Sequence, residues 1–208
     1  MEQDWFNDNI KDLLNGKTQS RSVLSFPDLQ MIYKVDLFWP IPYMDSTFIC
    51  KGGTFSGLVT VVPYEQGKIV YFPKQNSTIG ISFLFTGCYM AQFKYYRTEY
   101  IAHISTGLNY DCKSDWNNFV YNCMDDNRFS DFFLYKPFDD LAADIVRRSY
   151  VGASRTLDVC GIIDTSGNWY TGLIRYSDFE LIELYTSSII KRIYGSVNVN
   201  NVNSLYLP

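Results

Sequence analysis

His103, the only histidine of the 208-residue chain, follows Cys88 by fifteen residues. A cysteine thiol becomes a strong nucleophile once it loses its proton, and imidazole is the side chain whose ordinary pKa suits that transfer near neutral pH. Such a pair serves acyl transfer. The thiolate attacks a carbonyl, the imidazolium protonates the leaving amine, and water then releases the thioester. Ser82, six residues before Cys88, brings a hydroxyl that can orient the imidazole; Ser105 and Thr106, beside His103, are the alternatives. Thr86 and Gly87 lie just before the thiol, where Gly87 is expected to let the chain turn sharply and leave room for backbone N–H groups to face a developing oxyanion.

Positioning these groups requires a hairpin. The apolar, β-prone runs Tyr89 to Phe93 and Tyr100 to Ile104 are separated by the polar cluster Lys94 to Glu99. With the turn centred between Tyr95 and Tyr96, opposed residues have numbers summing to 191, which sets Cys88 directly against His103. Opposed side chains share a face with Cβ atoms about 4.5–5.5 Å apart. A turn on Arg97-Thr98 would instead set Cys88 against a residue near 107.

The rest of the chain reads as α+β, with mixed or antiparallel, sandwich-like sheets and peripheral helices. Strands are expected over Gln30 to Phe38, Thr54 to Val62, Lys68 to Phe72 and Ile79 to Phe85, and a second hairpin joins Leu157–Ile163 to Trp169–Tyr176 around Asp164. Trp5, Phe6, Ile10, Leu13 and Leu14 fall on one helical face; Ser114 can cap a helix carrying Trp116, Phe119 and Val120; Pro137 can open another through Val146. The capping-box sequence Ser177-Asp178-Phe179-Glu180 predicts a helix with apolar positions at Ile182, Tyr185, Ile189 and Ile193, followed by an Asn-rich loop and a terminal strand at Leu205 to Leu207.

Composition narrows the function classes. A 47% hydrophobic and 17% aromatic content is incompatible with disorder, and no composition break divides residues 1–208, which are read as one domain. A net charge of −4 offers no basic footprint for nucleic acid or an anionic membrane, so a protein or small-molecule partner is expected, with no nucleic acid and no membrane span. The acidic N-terminal segment lacks the basic and apolar regions of a secretory signal, which places synthesis in a cytosol. Five cysteines without CxxC spacing point to free thiols, and one histidine gives little to hold a metal; neither cofactor nor metal is expected. The carboxylate pairs Asp125-Asp126 and Asp139-Asp140, and Asp158 with Asp164, are read as surface, cap or turn residues.

Phe85-Thr86-Gly87-Cys88, followed by a short hairpin and Ala102-His103-Ile104, resembles the Leu-Ser-Gly-Cys and His signature of the toxin-type glutamine deamidases, represented by the cytotoxic necrotizing factor catalytic domain and Burkholderia lethal factor. The likeness spans residues 79–106 and departs from the signature at Phe85 and Thr86, which keep its apolar-then-hydroxyl order. It implies a cysteine hydrolase converting a specific glutamine of a target-cell protein to glutamate, delivered into that cell's cytosol. It also implies Ser82, in place of a threonine, as the third member. A Cys–His protease or transglutaminase uses the same groups. The acidic charge and abundant tyrosine equally suit a non-enzymatic binding module, such as an immunity or chaperone-like partner of a toxin, in which Cys88 and His103 only pack.

Overall fold

A computed structural model describes residues 48–50, 53–55, 59–62, 64–74, 79–107, 111–141, 157–175, 181–187 and 190–208. The fold is α+β and mostly β. Among the described residues the strands, in chain order, are β1 (Phe48–Cys50), β2 (Gly53–Phe55), β3 (Val59–Val62), β4 (Ile69–Pro73), β5 (Ile79–Ser82), β6 (Tyr89–Tyr95), β7 (Thr98–Ile104), β8 (Phe129–Tyr135), β9 (Leu157–Ile163), β10 (Trp169–Arg175), β11 (Leu181–Thr186) and β12 (Ile190–Ile193), and the α-helix described is α1 (Lys113–Asn122). They form two six-stranded sheets, β1-β4-β7-β6-β8-β12 and β11-β10-β9-β5-β3-β2, mostly antiparallel, with parallel pairs at β1/β4 and β3/β5.

Period-two alternation sorts the side chains of the first sheet between two cores. Val70, Phe72, Met90, Ile101 and Tyr135 face the second sheet and pack with Val62, Val159, Ile163, Trp169 and Leu173. Ile69, Ala91, Phe93, Tyr100 and Phe132 face outward and are covered by Trp116, Phe119 and Val120 of α1 and by Val197, Val202 and Leu205 of the C-terminal segment. That segment is tied to the helix by hydrogen bonds: Trp116 Nε1 donates to the Leu205 carbonyl at 3.1 Å, and Asn117 exchanges two bonds with Leu207 at 3.0 and 2.8 Å.

The sheets approach closely where glycine replaces a side chain. A Cβ at Gly80 of β5 would lie 2.1 Å from Ile101 Cδ1, and one at Gly161 of β9 would lie 2.6 Å from both Met90 Sδ and Tyr135 Oη. These two glycines let β5 and β9 settle onto β6, β7 and β8, which brings Ser82 of one sheet within reach of His103 of the other.

Several sequence expectations are corrected here. The expected strand from Thr54 to Val62 is a pair, β2 and β3, joined antiparallel. Where a capping-box helix was expected, Leu181–Thr186 and Ile190–Ile193 are strands that join opposite sheets, their backbones pairing antiparallel with β10 on one side and β8 on the other. Pro137 opens only a single 3-10 turn, Pro137–Asp140, within the described residues. The tail ends in a second 3-10 turn, Val202–Leu205, instead of a strand. α1 starts two residues earlier than a Ser114 cap would set it: Cys112 is the N-cap and Asp111 Oδ1 accepts the Lys113 N–H at 2.9 Å. The N-terminal helix and the strand over Gln30 to Phe38 lie outside the described residues.

Candidate active site

The hairpin turn is Tyr96-Arg97, with Tyr96 in the left-handed region at φ 53°. Opposed residues of β6 and β7 therefore sum to 193 and not 191: Met90, rather than Cys88, stands directly against His103. Cys88 lies just before β6, in the same inter-sheet core as Met90, and is a diagonal neighbour of His103. Diagonal pairs on one face are typically about 7–8 Å apart between Cα atoms. The shift changes the distance between the two groups but leaves both on the face that meets the second sheet.

His103 is completely buried. Its ring stacks on Phe85 at 4.3 Å and 14°, and Tyr64 tilts against it at 5.2 Å. Ser82 Oγ, at the end of β5, lies 2.8 Å from Nδ1 and 2.6 Å from the Val62 carbonyl oxygen. A hydroxyl has one proton, and two oxygens 2.6 Å apart need a proton between them, so Ser82 donates to Val62 and accepts from His103. This assigns the proton to Nδ1 and leaves the lone pair on Nε2, which is buried and without a partner. Burial without a compensating charge pushes the imidazole pKa down to about 3, so the ring is neutral at physiological pH.

The thiol is held separately. Cys88 is 2% exposed. Its Sγ accepts the Thr106 N–H at 3.5 Å and approaches the Thr106 carbonyl at 3.8 Å, while Thr106 Oγ1 donates to the Gly87 carbonyl at 2.7 Å. Desolvation raises the thiol pKa, outweighing the opposing hydrogen bonds from Thr106 and the Thr86 backbone. Resting Cys88 is thus a neutral thiol beside a neutral imidazole, with no hydrogen bond between them.

Of the other residues singled out by sequence, Ser105 turns away from the imidazole and accepts the Gly67 N–H at 3.0 Å, and Thr106 serves the thiol. Thr86 is exposed. Gly87 is not in a glycine-only conformation, and a Cβ there would meet nothing within 4 Å; the left-handed residue of this loop is Leu84, at φ 65°. The sharp turn expected at Gly87 is therefore made earlier. Sequence reasoning also missed Tyr64, which packs on the imidazole, and the Val62 carbonyl, which the β3/β5 pairing sets against Ser82. Of the carboxylates, Asp126 is bound to Arg128 at 2.6 Å, Asp140 to Thr171 at 2.7 Å and Ser187 at 3.1 Å, and Asp164 to the backbone N–H groups of Ser166 and Asn168, whereas Asp158, expected at a surface, cap or turn, is buried within β9.

A cleft of about 480 Å³ opens beside this site, lined by Gly87, Tyr89, Thr106, Gly107, Asp111, Lys113 and Lys136. It touches the residues flanking Cys88 on both sides of the chain. Among the described residues, no group of three or more His, Cys, Asp or Glu side chains is arranged to hold a metal. Nor is any described helix long and apolar enough to cross a membrane. No family model matches the chain, and neither a curated protein nor a solved structure matches it.

Proposed function

We propose that the chain is a cysteine hydrolase of the protein-glutamine deamidase type, with Cys88 as nucleophile, His103 as general base and acid, and Ser82 as the group that orients the imidazole. The observation that carries this reading is the 2.8 Å Ser82–His103 bond, which leaves Nε2 as a bare acceptor on the face that Cys88 shares. That is the tautomer a base needs if it is to take a thiol proton. In the proposed reaction the Cys88 thiol turns from Thr106 toward Nε2, gives up its proton and attacks the side-chain amide carbon. The protonated imidazole returns the proton to the departing nitrogen, releasing ammonia, and water activated by the same nitrogen hydrolyses the thioester to glutamate. The resemblance of Phe85-Thr86-Gly87-Cys88 and His103 to the toxin deamidases favours a side-chain amide over a peptide bond. The cleft beside Gly87 and Thr106 is the approach for the substrate chain.

Purified protein incubated with target-cell lysates is expected to release ammonia and to convert particular glutamines to glutamates, detected by peptide mass spectrometry, with both signals absent in Cys88→Ser. Conversion that persists in Cys88→Ser and in His103→Ala would discard the site.

The burial of Cys88 and His103, with its opposed effects on their pKa values, supports a second reading. A binding module needs these side chains only as packing. It predicts that Cys88→Ala and His103→Gln retain full partner binding and that no glutamine is altered.

A further inference from the structure

Among the described residues, four side chains other than glycine sit on left-handed backbone: Leu84, Tyr96, Asp125 and Asp131. Tyr96 forms the hairpin turn, and aspartate tolerates this region, Asp131 also accepting the Gly195 N–H at 2.7 Å. Leu84, at φ 65°, has neither reason to be there. A bulky side chain in this region is strained, and such strain persists only where the surroundings impose it.

The effect of the strain is visible on either side of it. Ser82, at the end of β5, and Phe85 both meet His103, the first at Nδ1 and the second stacked on the ring at 4.3 Å. Residues three apart in extended chain face opposite ways, so a regular strand could not bring both to one imidazole. The left-handed Leu84 reverses the phase. It stays half-buried while Phe85 turns fully inward, onto a seat over Gly161, where an added Cβ would come to 3.2 Å from Phe85 Cε2. The segment is held by the Phe85 N–H, which donates to the Val159 carbonyl at 3.1 Å, and by the Thr106 hydroxyl, which donates to the Gly87 carbonyl at 2.7 Å. Beyond Phe85 the chain reaches the surface at once, Thr86 being exposed and Gly87 lining the cleft.

We propose that residues 83–87 form a gate over the imidazole, closed in this structure and opened when Leu84 relaxes to an ordinary negative φ. Relaxation restores the strand phase, so Phe85 leaves the ring and the stretch leading to Cys88 loosens with it. Burial of Phe85 favours the closed form and strain at Leu84 opposes it, and that opposition keeps two states within reach of each other. A glycine at position 84 would hold the closed form without strain. Leu84 is thus a positioning residue whose strain sets the opening equilibrium. The gate rests on the hydrolase reading for its purpose, since the group uncovered is the proposed base, but its readouts are physical and need no turnover.

The test compares Leu84→Gly and Leu84→Val with the parent full chain. Iodoacetamide labelling is followed cysteine by cysteine with peptide mass spectrometry, and Cys123, buried in the outer core, reports global unfolding. Leu84→Gly removes the strain from the closed form, so Cys88 should label about tenfold more slowly relative to Cys123, the factor to which the left-handed penalty corresponds. Leu84→Val, β-branched and less tolerant of positive φ, should speed Cys88 relative to Cys123 by a similar factor. Protonation of His103 draws on the same opening, so Leu84→Val should also raise the imidazole midpoint by about one pH unit from its value near 3. The gate is overturned if Leu84→Gly leaves the Cys88-to-Cys123 ratio unchanged or raises it, or if both cysteines change in step in both variants, as a loss of overall stability would produce. These rates decide the gate whether or not any glutamine is altered, whereas an absence of deamidation by the parent would remove the hydrolase reading alone.

Discussion

Ser82 and His103 belong to different sheets and meet in the middle of the sandwich through a 2.8 Å hydrogen bond. The sheets meet beside Gly80 and Gly161, where an added Cβ would press on the side-chain tips of Ile101, Met90 and Tyr135. It couples a feature of packing to a feature of chemistry: the distance between the sheets decides which imidazole nitrogen carries the proton.

The tautomer can be read directly, because one histidine gives one imidazole spin system. Long-range ¹H–¹⁵N spectra at pH 7 are expected to show a neutral ring protonated at Nδ1. Lowering the pH to 5 should leave the two nitrogen shifts unchanged, given a pKa near 3. Titration with a midpoint near 6.5 would mean that water reaches the ring.

Folding stability should carry the same signature. The folded pKa is depressed below the unfolded value of about 6.5, so the unfolded chain binds the proton first. The contribution is fully present above pH 6.5 and declines as pH falls toward 3, with a slope of up to about 1.4 kcal/mol per pH unit. Carboxylates titrate in the same window, so the informative quantity is the difference in urea-derived stability between the parent and His103→Gln. That difference should narrow on acidification from pH 7 to pH 4.

Removing the serine hydroxyl strands two groups at once. In Ser82→Ala the Val62 carbonyl loses its donor and the Nδ1 proton loses its acceptor, both in a dry interior. A loss of about 1–3 kcal/mol in urea unfolding is expected, with unchanged m-value. The imidazole should then populate both tautomers, visible in the same ¹⁵N spectra. Ser82→Thr keeps the hydroxyl and should restore the single tautomer.

Much of this site was legible because its residue types are scarce. One histidine, one Gly-Cys and a serine six residues upstream leave few combinations, and the structure places Ser82 against the ring that sequence reasoning assigned it to orient. The register was not legible. Sums of 191 and 193 keep every side chain on the same face, so the apolar alternation fits both equally, and only the turn separates them. Tyr96-Arg97 carries none of the Asn-Gly chemistry that marks a two-residue turn. The segment after Ser177 misled for a related reason. Ile182, Tyr185, Ile189 and Ile193 lie on one helical face, yet β11 and β12 gain pairing from β10 and β8, which local sequence does not contain.

Alkylation distinguishes the resting arrangement from an opened one. With the thiol raised by burial and held by Thr106, iodoacetamide should label native Cys88 slowly at pH 7 and faster only as pH climbs above the ordinary thiol range. His103→Ala should barely alter that profile, since the two groups are not bonded at rest. Rapid labelling of Cys88 below pH 8 that disappears in His103→Ala would report a thiolate–imidazolium pair formed in solution, as the hydrolase reading requires during turnover.

The close approach of the sheets can be tested by exchanging bulk across it. Adding a methyl at Gly80 drives a Cβ to 2.1 Å from Ile101 Cδ1, a contact relieved only when the buried Ile101 side chain swings aside or the strands part. Overpacking of this kind costs about 1–3 kcal/mol, and Gly80→Ala is expected to fall in that range by urea unfolding. Ile101→Val deletes the Cδ1 atom and alone should cost about 0.5–1.5 kcal/mol, because it leaves a small void. Combined, the two changes fill and vacate the same space. The double variant should be more stable than the sum of the single losses predicts, with a coupling of about 0.5–3 kcal/mol, and should recover the single imidazole tautomer if Gly80→Ala has disturbed it. Strict additivity would mean that β5 and β7 are not in contact at Gly80, and the inter-sheet placement of Ser82 against His103 would then lose its structural basis.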